Sequence, residues 1–253
     1  AVPDLPDVEL EPDVVLLVLL PPLLYAAAFF TPLRELRRNV AAVSVLAVGL
    51  VLATMVVVAL VAHHALDFGW AESFVLGAIV SPTDPVAATA IARRLGVPGR
   101  IVTIVEGESL INDGTALVAY KFAVAAVVTG SFSLMDAAGD FVWNALGGVA
   151  VGIAVGAVVA MVRRRLHNPP VEITIALFTS YFAYLPAEEL GVSGVLAAVT
   201  VGIFMGRLTS QLTTPTTRIQ GTAVWEIVVF LLNSALFVLV GLQLPGVLGG
   251  IEG

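Results

Sequence analysis

Apolar runs of about 17 to 25 residues recur along this chain, the length an α-helix needs to cross a hydrocarbon layer about 30 Å thick. Eight can be marked, over 14–31, 40–62, 71–92, 101–128, 137–162, 171–187, 191–208 and 223–244. Composition fits that reading. Hydrophobic residues make up 58% of the chain and charged ones 12%, whereas a soluble domain uses about 25% charge to cover its surface. The predicted fold is all-α, a polytopic membrane helix bundle of about eight spans. The two longest segments, the fourth and fifth, have length to spare for tilt.

The basic residues test this division independently. Arg34, Arg37 and Arg38 follow the first segment, Arg93, Arg94 and Arg100 the third, and Arg163, Arg164 and Arg165 the fifth; Arg207 and Arg218 flank the loop after the seventh. The loops between, near 63–70, 129–136 and 187–191, hold no Lys or Arg. Positive charge on alternate loops is what consecutive spans produce when basic loops stay in the cytoplasm. The net charge of −7 owes much to Asp4, Asp7, Glu9, Glu11 and Asp13, ahead of the first span. The chain divides into an acidic non-cytoplasmic leader (1–13), a membrane domain (14–245) and a short tail (246–253). It opens on no signal-peptide pattern and is expected to be a piece of a longer protein. With no cysteine, disulfide and thiol chemistry are excluded.

Gly148, Gly152 and Gly156 recur every four residues, as do Gly202 and Gly206. That spacing lets helix backbones approach in lipid, where no hydrophobic force drives association. Charges inside spans are costly and mark function. The candidates are Asp84 in the third segment, Glu106, Glu108, Asp113 and Lys121 in the fourth, and Glu226 in the eighth, which beside Trp225 reads as a membrane-boundary residue. His63 and His64 fall at a span end.

The third segment reads Ser81-Pro82-Thr83-Asp84-Pro85. Each proline lacks an N–H and disfavours helix in the residue before it, so the helix should break in mid-membrane. Broken backbone at that depth must be buried in protein or face a polar cavity, and such breaks supply carbonyls to cations. Asp84 also suits capping of the second half-helix. In the fourth segment Ser109 and Asp113 lie one turn apart on one face, Glu106 lies on roughly the same face, and Asn112 points about 100° away. A carboxylate with a hydroxyl beside it is a hard-oxygen site for an ion such as Na+. Burial would raise the Asp113 pKa, so that proton and cation compete for one group; the expected ligands of Na+ are Asp113, Ser109 and Thr83. Glu108 faces away from Ser109, towards a basic partner on another helix. Lys121 suits a structural role, either snorkelling or neutralising an acid.

Ser81 to Val86 and Gly107 to Asp113 resemble the paired signatures of the monovalent cation/proton antiporters of the Na+/H+ exchanger type. Pro21-Pro22-Leu23-Leu24-Tyr25 and the stretch from Leu231 to Leu244 are similar to bacterial members. The resemblance implies a homodimer in the plasma membrane, built from a dozen or more helices with inverted repeats. It implies transport at Asp113, with Ser109, Thr83 and Asp84 completing the site and Glu108 paired to an arginine on a later helix. Asn112 before the aspartate resembles the electroneutral branch. Partners are then a monovalent cation, a proton and lipid, with neither cofactor nor nucleic acid. Ala26 or Ala27 stands where some members carry a Glu. The earliest helices, the arginine and the second broken helix are missing, so a non-transporting fragment is one alternative. An intramembrane hydrolase is another, disfavoured because no histidine within a span is placed to activate Ser109 and neither Asp84 nor Asp113 has an aspartyl-protease context. A channel would line its pore with rings or filters, which this asymmetric acidic cluster does not form.

Overall fold

The computed structural model describes residues 12–32, 38–129, 134–166 and 168–251. Among the described residues there are nine helices. They are α1 (Pro12–Phe30), α2 (Val40–Leu66), α3 (Trp70–Val80), α4 (Val86–Arg94), α5 (Gly99–Thr129), α6 (Leu134–Arg163), α7 (Pro169–Glu189), α8 (Gly194–Leu212) and α9 (Pro215–Ile251). Each predicted span has its helix, and the third is split in two at the prolines. Within the described residues five helices, α2, α5, α6, α8 and α9, are long and apolar enough to cross a bilayer. Most of the leader, with Arg34 and Arg37, lies outside the described residues.

Helix ends follow local chemistry that hydropathy does not register. The α9 helix begins at Pro215, well before its apolar stretch, because Pro at the first position has no N–H to leave unpaired. The Thr214 hydroxyl accepts the Thr217 N–H at 3.2 Å, an N-cap. Ser193 caps α8 in the same way, taking the Leu196 N–H at 3.2 Å. The turn between α7 and α8 passes through Gly191 at φ +70°, which costs glycine little. The α2 helix contains one π-helical stretch, Val45–Leu50, which packs against α5.

One part of the bundle is α1, α6, α7 and α8, with α9 alongside. Its glycines do what their spacing predicts. A methyl at Gly202 would lie 2.7 Å from the Tyr25 carbonyl oxygen, and one at Gly206 2.5 Å from that of Phe29. Across the other face of α8, Gly148 and Gly152 of α6 meet the carbonyls of Ser193 and Ala197, while Gly156 meets the Phe204 ring. Around this seam Tyr25, Val201 and Met205 are fully buried. Trp225 is also buried, stacked on Tyr25 at 5.3 Å between ring centroids; it points into the bundle.

Two prolines inside α1 leave a carbonyl to be satisfied. Pro22 cannot donate to the Val18 carbonyl one turn back. The Tyr181 hydroxyl of α7 donates to it instead, at 2.6 Å.

The second part is α2 to α5. Gly77 lets α3 ride on α2, where an added methyl would lie 2.5 Å from the Met55 carbonyl oxygen. Arg100 Nε donates to the Asn39 side chain at 2.9 Å and ties α5 to the start of α2. The α5 helix joins the two parts: Leu117 packs on the cluster of Leu24, Ala28, Val195, Ala198 and Val199.

Candidate functional site

Two prolines set the geometry. The last turn of α3 ends with the Ser81 N–H on the Gly77 carbonyl at 3.1 Å. Pro82 has no proton for the Ala78 carbonyl, and the Ser81 hydroxyl donates there in its place at 3.1 Å. The chain then runs non-helically through 82–85 and re-enters helix at Val86. Thr89 steadies the restart with its N–H and hydroxyl on the Pro85 carbonyl, at 2.7 and 2.8 Å. Thr83 and Asp84, at the centre of the break, are exposed on the surface of the described residues.

The α5 helix reaches the break with two side chains. Ser109 donates its hydroxyl to the Thr83 carbonyl at 3.3 Å. Asn112 donates from Nδ2 to the Thr83 hydroxyl at 3.2 Å and to Glu108 Oε1 at 2.9 Å. Positions three and four apart are neighbours on a helix surface, so one amide bridges a carboxylate on its own helix and a hydroxyl on the next. Asn112 is wholly buried, and Ser109 and Glu108 nearly so. Both amide protons of Asn112 are thus engaged, while its Oδ1 is buried with no partner. A buried acceptor left unpaired costs about 1–3 kcal/mol. The site therefore brings together a hydroxyl, a backbone carbonyl and an unspent amide oxygen, all hard donors suited to a cation.

Asp113 and Glu106 lie on α5, with their side chains outside the described ones. Among the described residues the Glu108 carboxylate takes the amide of Asn112. Lys121 is exposed and lies eight residues beyond Asp113, about 12 Å along the axis. Glu226 is exposed on α9. His63 belongs elsewhere: it stacks on Trp70 at 4.0 Å and shares a hydrogen bond with the Phe68 carbonyl at 2.7 Å. That is the opposite end of α3 from the break, about 16 Å away. His64 meets the same Trp70 edge-on.

Sequence reasoning missed one buried charge pair, Arg163 at the end of α6 and Glu172 in the first turn of α7, 3.7 Å apart. Glu172 stands just inside an apolar segment and close after the Arg163–Arg165 run, and that pairing of opposite charges was the available signal.

The sodium/hydrogen exchanger family, a transmembrane one, matches residues 3–251, and the chain belongs to it. The family is one of ion exchangers, not enzymes. The chain is 40% identical to an uncharacterized Na+/H+ exchanger of Mycobacterium bovis, over 100% of this chain and 46% of that one. It is 38% identical to a sodium, potassium, lithium and rubidium/H+ antiporter of Bacillus subtilis, over 96% of this chain and 38% of that one. With the Na+/H+ antiporter ApNhaP of Aphanothece halophytica it shares 36% identity, over 94% and 46%. The chain thus spans less than half the length of these curated relatives.

Proposed function

We propose that the complete protein exchanges H+ for Na+, or another monovalent cation, by competition of the two for the Asp113 carboxylate. The observation that carries this reading is the junction of Ser109 and Asn112 with the broken helix at Thr83. A break that exposes backbone oxygens in mid-membrane, held beside an intramembrane aspartate, is how a transporter removes a cation's hydration shell. An acid in low dielectric favours its protonated form, and a nearby cation favours the ionised one. One carboxylate therefore carries either ion but not both, and alternating exposure of that site to the two sides gives coupled antiport.

Asn112 supports one-for-one exchange. Its amide is neutral and committed to Thr83 and Glu108, which leaves Asp113 to carry the charge that is exchanged. Ser109 and the Thr83 carbonyl serve as cation ligands, Asp84 orients the second half-helix, and Glu106 is accessory. Basic loops on alternate sides support a bacterial plasma-membrane protein with its acidic leader outside. The working form is a homodimer of the complete chain.

The test is cation-driven recovery of a pH-sensitive dye in proteoliposomes carrying the complete protein. Asp113→Asn should abolish recovery for every cation that drives it; full exchange by this variant would sink the mechanism. Net charge movement, with a rate that follows membrane voltage, would refute the electroneutral assignment. The 253-residue stretch alone, in the same assay, reports whether it can transport.

A further inference from the structure

At the end of the bundle where α6 and α8 finish and α7 and α9 begin, a cavity of ≈ 270 Å³ opens. Its polar wall holds Arg163, Arg218, Thr209, Thr213 and Thr217, and its apolar wall includes Phe29, Phe30 and Trp225. Arg163 is 4% exposed, and its Nε and one terminal nitrogen are buried with no hydrogen-bond partner. The Thr209 hydroxyl oxygen in the same wall is likewise buried and unpartnered. Glu172 answers only part of the Arg163 charge, since their nearest atoms stand 3.7 Å apart, beyond a hydrogen bond. A buried guanidinium with idle donors is costly to leave unmet.

We propose that this cavity binds a phosphate group, carried by a lipid headgroup or free in solution. The donors match the chemistry. Two guanidiniums against one carboxylate leave one net positive charge, which a phosphodiester, with its single negative charge, would neutralise. Guanidinium forks fit phosphate oxygens two at a time, and the unpartnered Thr209 hydroxyl supplies a further donor. Thr217 and Arg218 sit in the first turn of α9, where the helix end favours an anion. Bases gathered beside a bilayer surface also attract anionic headgroups, and the Phe29, Phe30 and Trp225 wall would take a glycerol or upper acyl segment. This site is separate from the one at Thr83 and Asn112 and does not depend on the transport reading.

The test uses the complete protein in detergent, stripped of lipid, with its melting temperature read against added ligand. The ligands are short-chain phosphatidylglycerol, inorganic phosphate, and chloride at matched ionic strength. Phosphatidylglycerol should raise the melting temperature by several degrees and chloride should not. A rise with inorganic phosphate as well assigns the source to the phosphate itself, and its absence assigns it to the lipid. Arg218→Gln, at the partly exposed rim, and Thr209→Val should each keep the fold and weaken the half-saturating concentration, Arg218→Gln by about tenfold. No rise with either phosphate source would overturn the proposal, and so would a rise left undiminished by both substitutions.

Discussion

The seams that α8 makes with α1 and α6, and the junction of α5 with the broken stretch at Thr83, lie among similar apolar residues, yet they are joined differently. In the first, backbones touch: Gly202 and Gly206 sit on the carbonyls of Tyr25 and Phe29, and Gly148 and Gly152 on those of Ser193 and Ala197. Such contacts have one good geometry and tolerate little displacement. In the second, Ser109 and Asn112 reach Thr83 through side-chain hydrogen bonds, and the Thr83 stretch has no helix of its own to hold it. Hydrogen bonds of this kind exchange partners at small cost, whereas a helix seam lined with glycine does not. The contrast separates a closely packed glycine seam from a junction held by side-chain hydrogen bonds, where the proposed ion site lies.

The contrast would be broken most directly at Gly202. Gly202→Leu drives a side chain into the Tyr25 backbone and should destabilise the protein by about 4 kcal/mol or more. Fluorescence-detected size exclusion after heating should find little folded protein. If the variant were as stable as the original, the glycine seam would not be the closely packed one.

Asn112→Ala should behave in the opposite sense. It removes the bridge between Glu108 and Thr83 at a cost of about 1–3 kcal/mol, leaving a folded protein whose exchange rate in proteoliposomes falls at least tenfold. A variant that lost its fold but kept its rate per folded molecule would make Asn112 a scaffold residue. Tyr181→Phe strands the Val18 carbonyl and should cost about 0.5–1.5 kcal/mol in a thermal melt without altering exchange. Lys121→Ala should stay within about ±0.5 kcal/mol, since the side chain is exposed. A large loss of exchange in that variant would extend the site along α5.

Much of the architecture was legible because hydropathy and loop charge act over whole spans. The break at 81–85 was legible because two prolines act locally, and the glycine seams because a four-residue repeat maps to one helix face. The role of Asn112 was only half legible. Its direction away from Asp113 follows from helical geometry, but that Thr83 meets it depends on how α3 and α5 slide along each other, which no local pattern encodes. The Arg163–Glu172 pair was hidden for a similar reason: each residue reads as the end of a span, and only packing shows that both are buried. Trp225 reads as a boundary residue until its stacking on Tyr25 is known.

The bond from Tyr181 to the Val18 carbonyl carries a consequence for how the chain is made. The two residues are 163 positions apart. At about 5–20 residues per second of synthesis, α1 waits roughly 10 to 30 s for the hydroxyl that completes it. During that interval its unbonded carbonyl needs water or a temporary partner at the site of insertion. This helix is therefore finished only after α7 has been made, and its final seating against α7 waits on that helix.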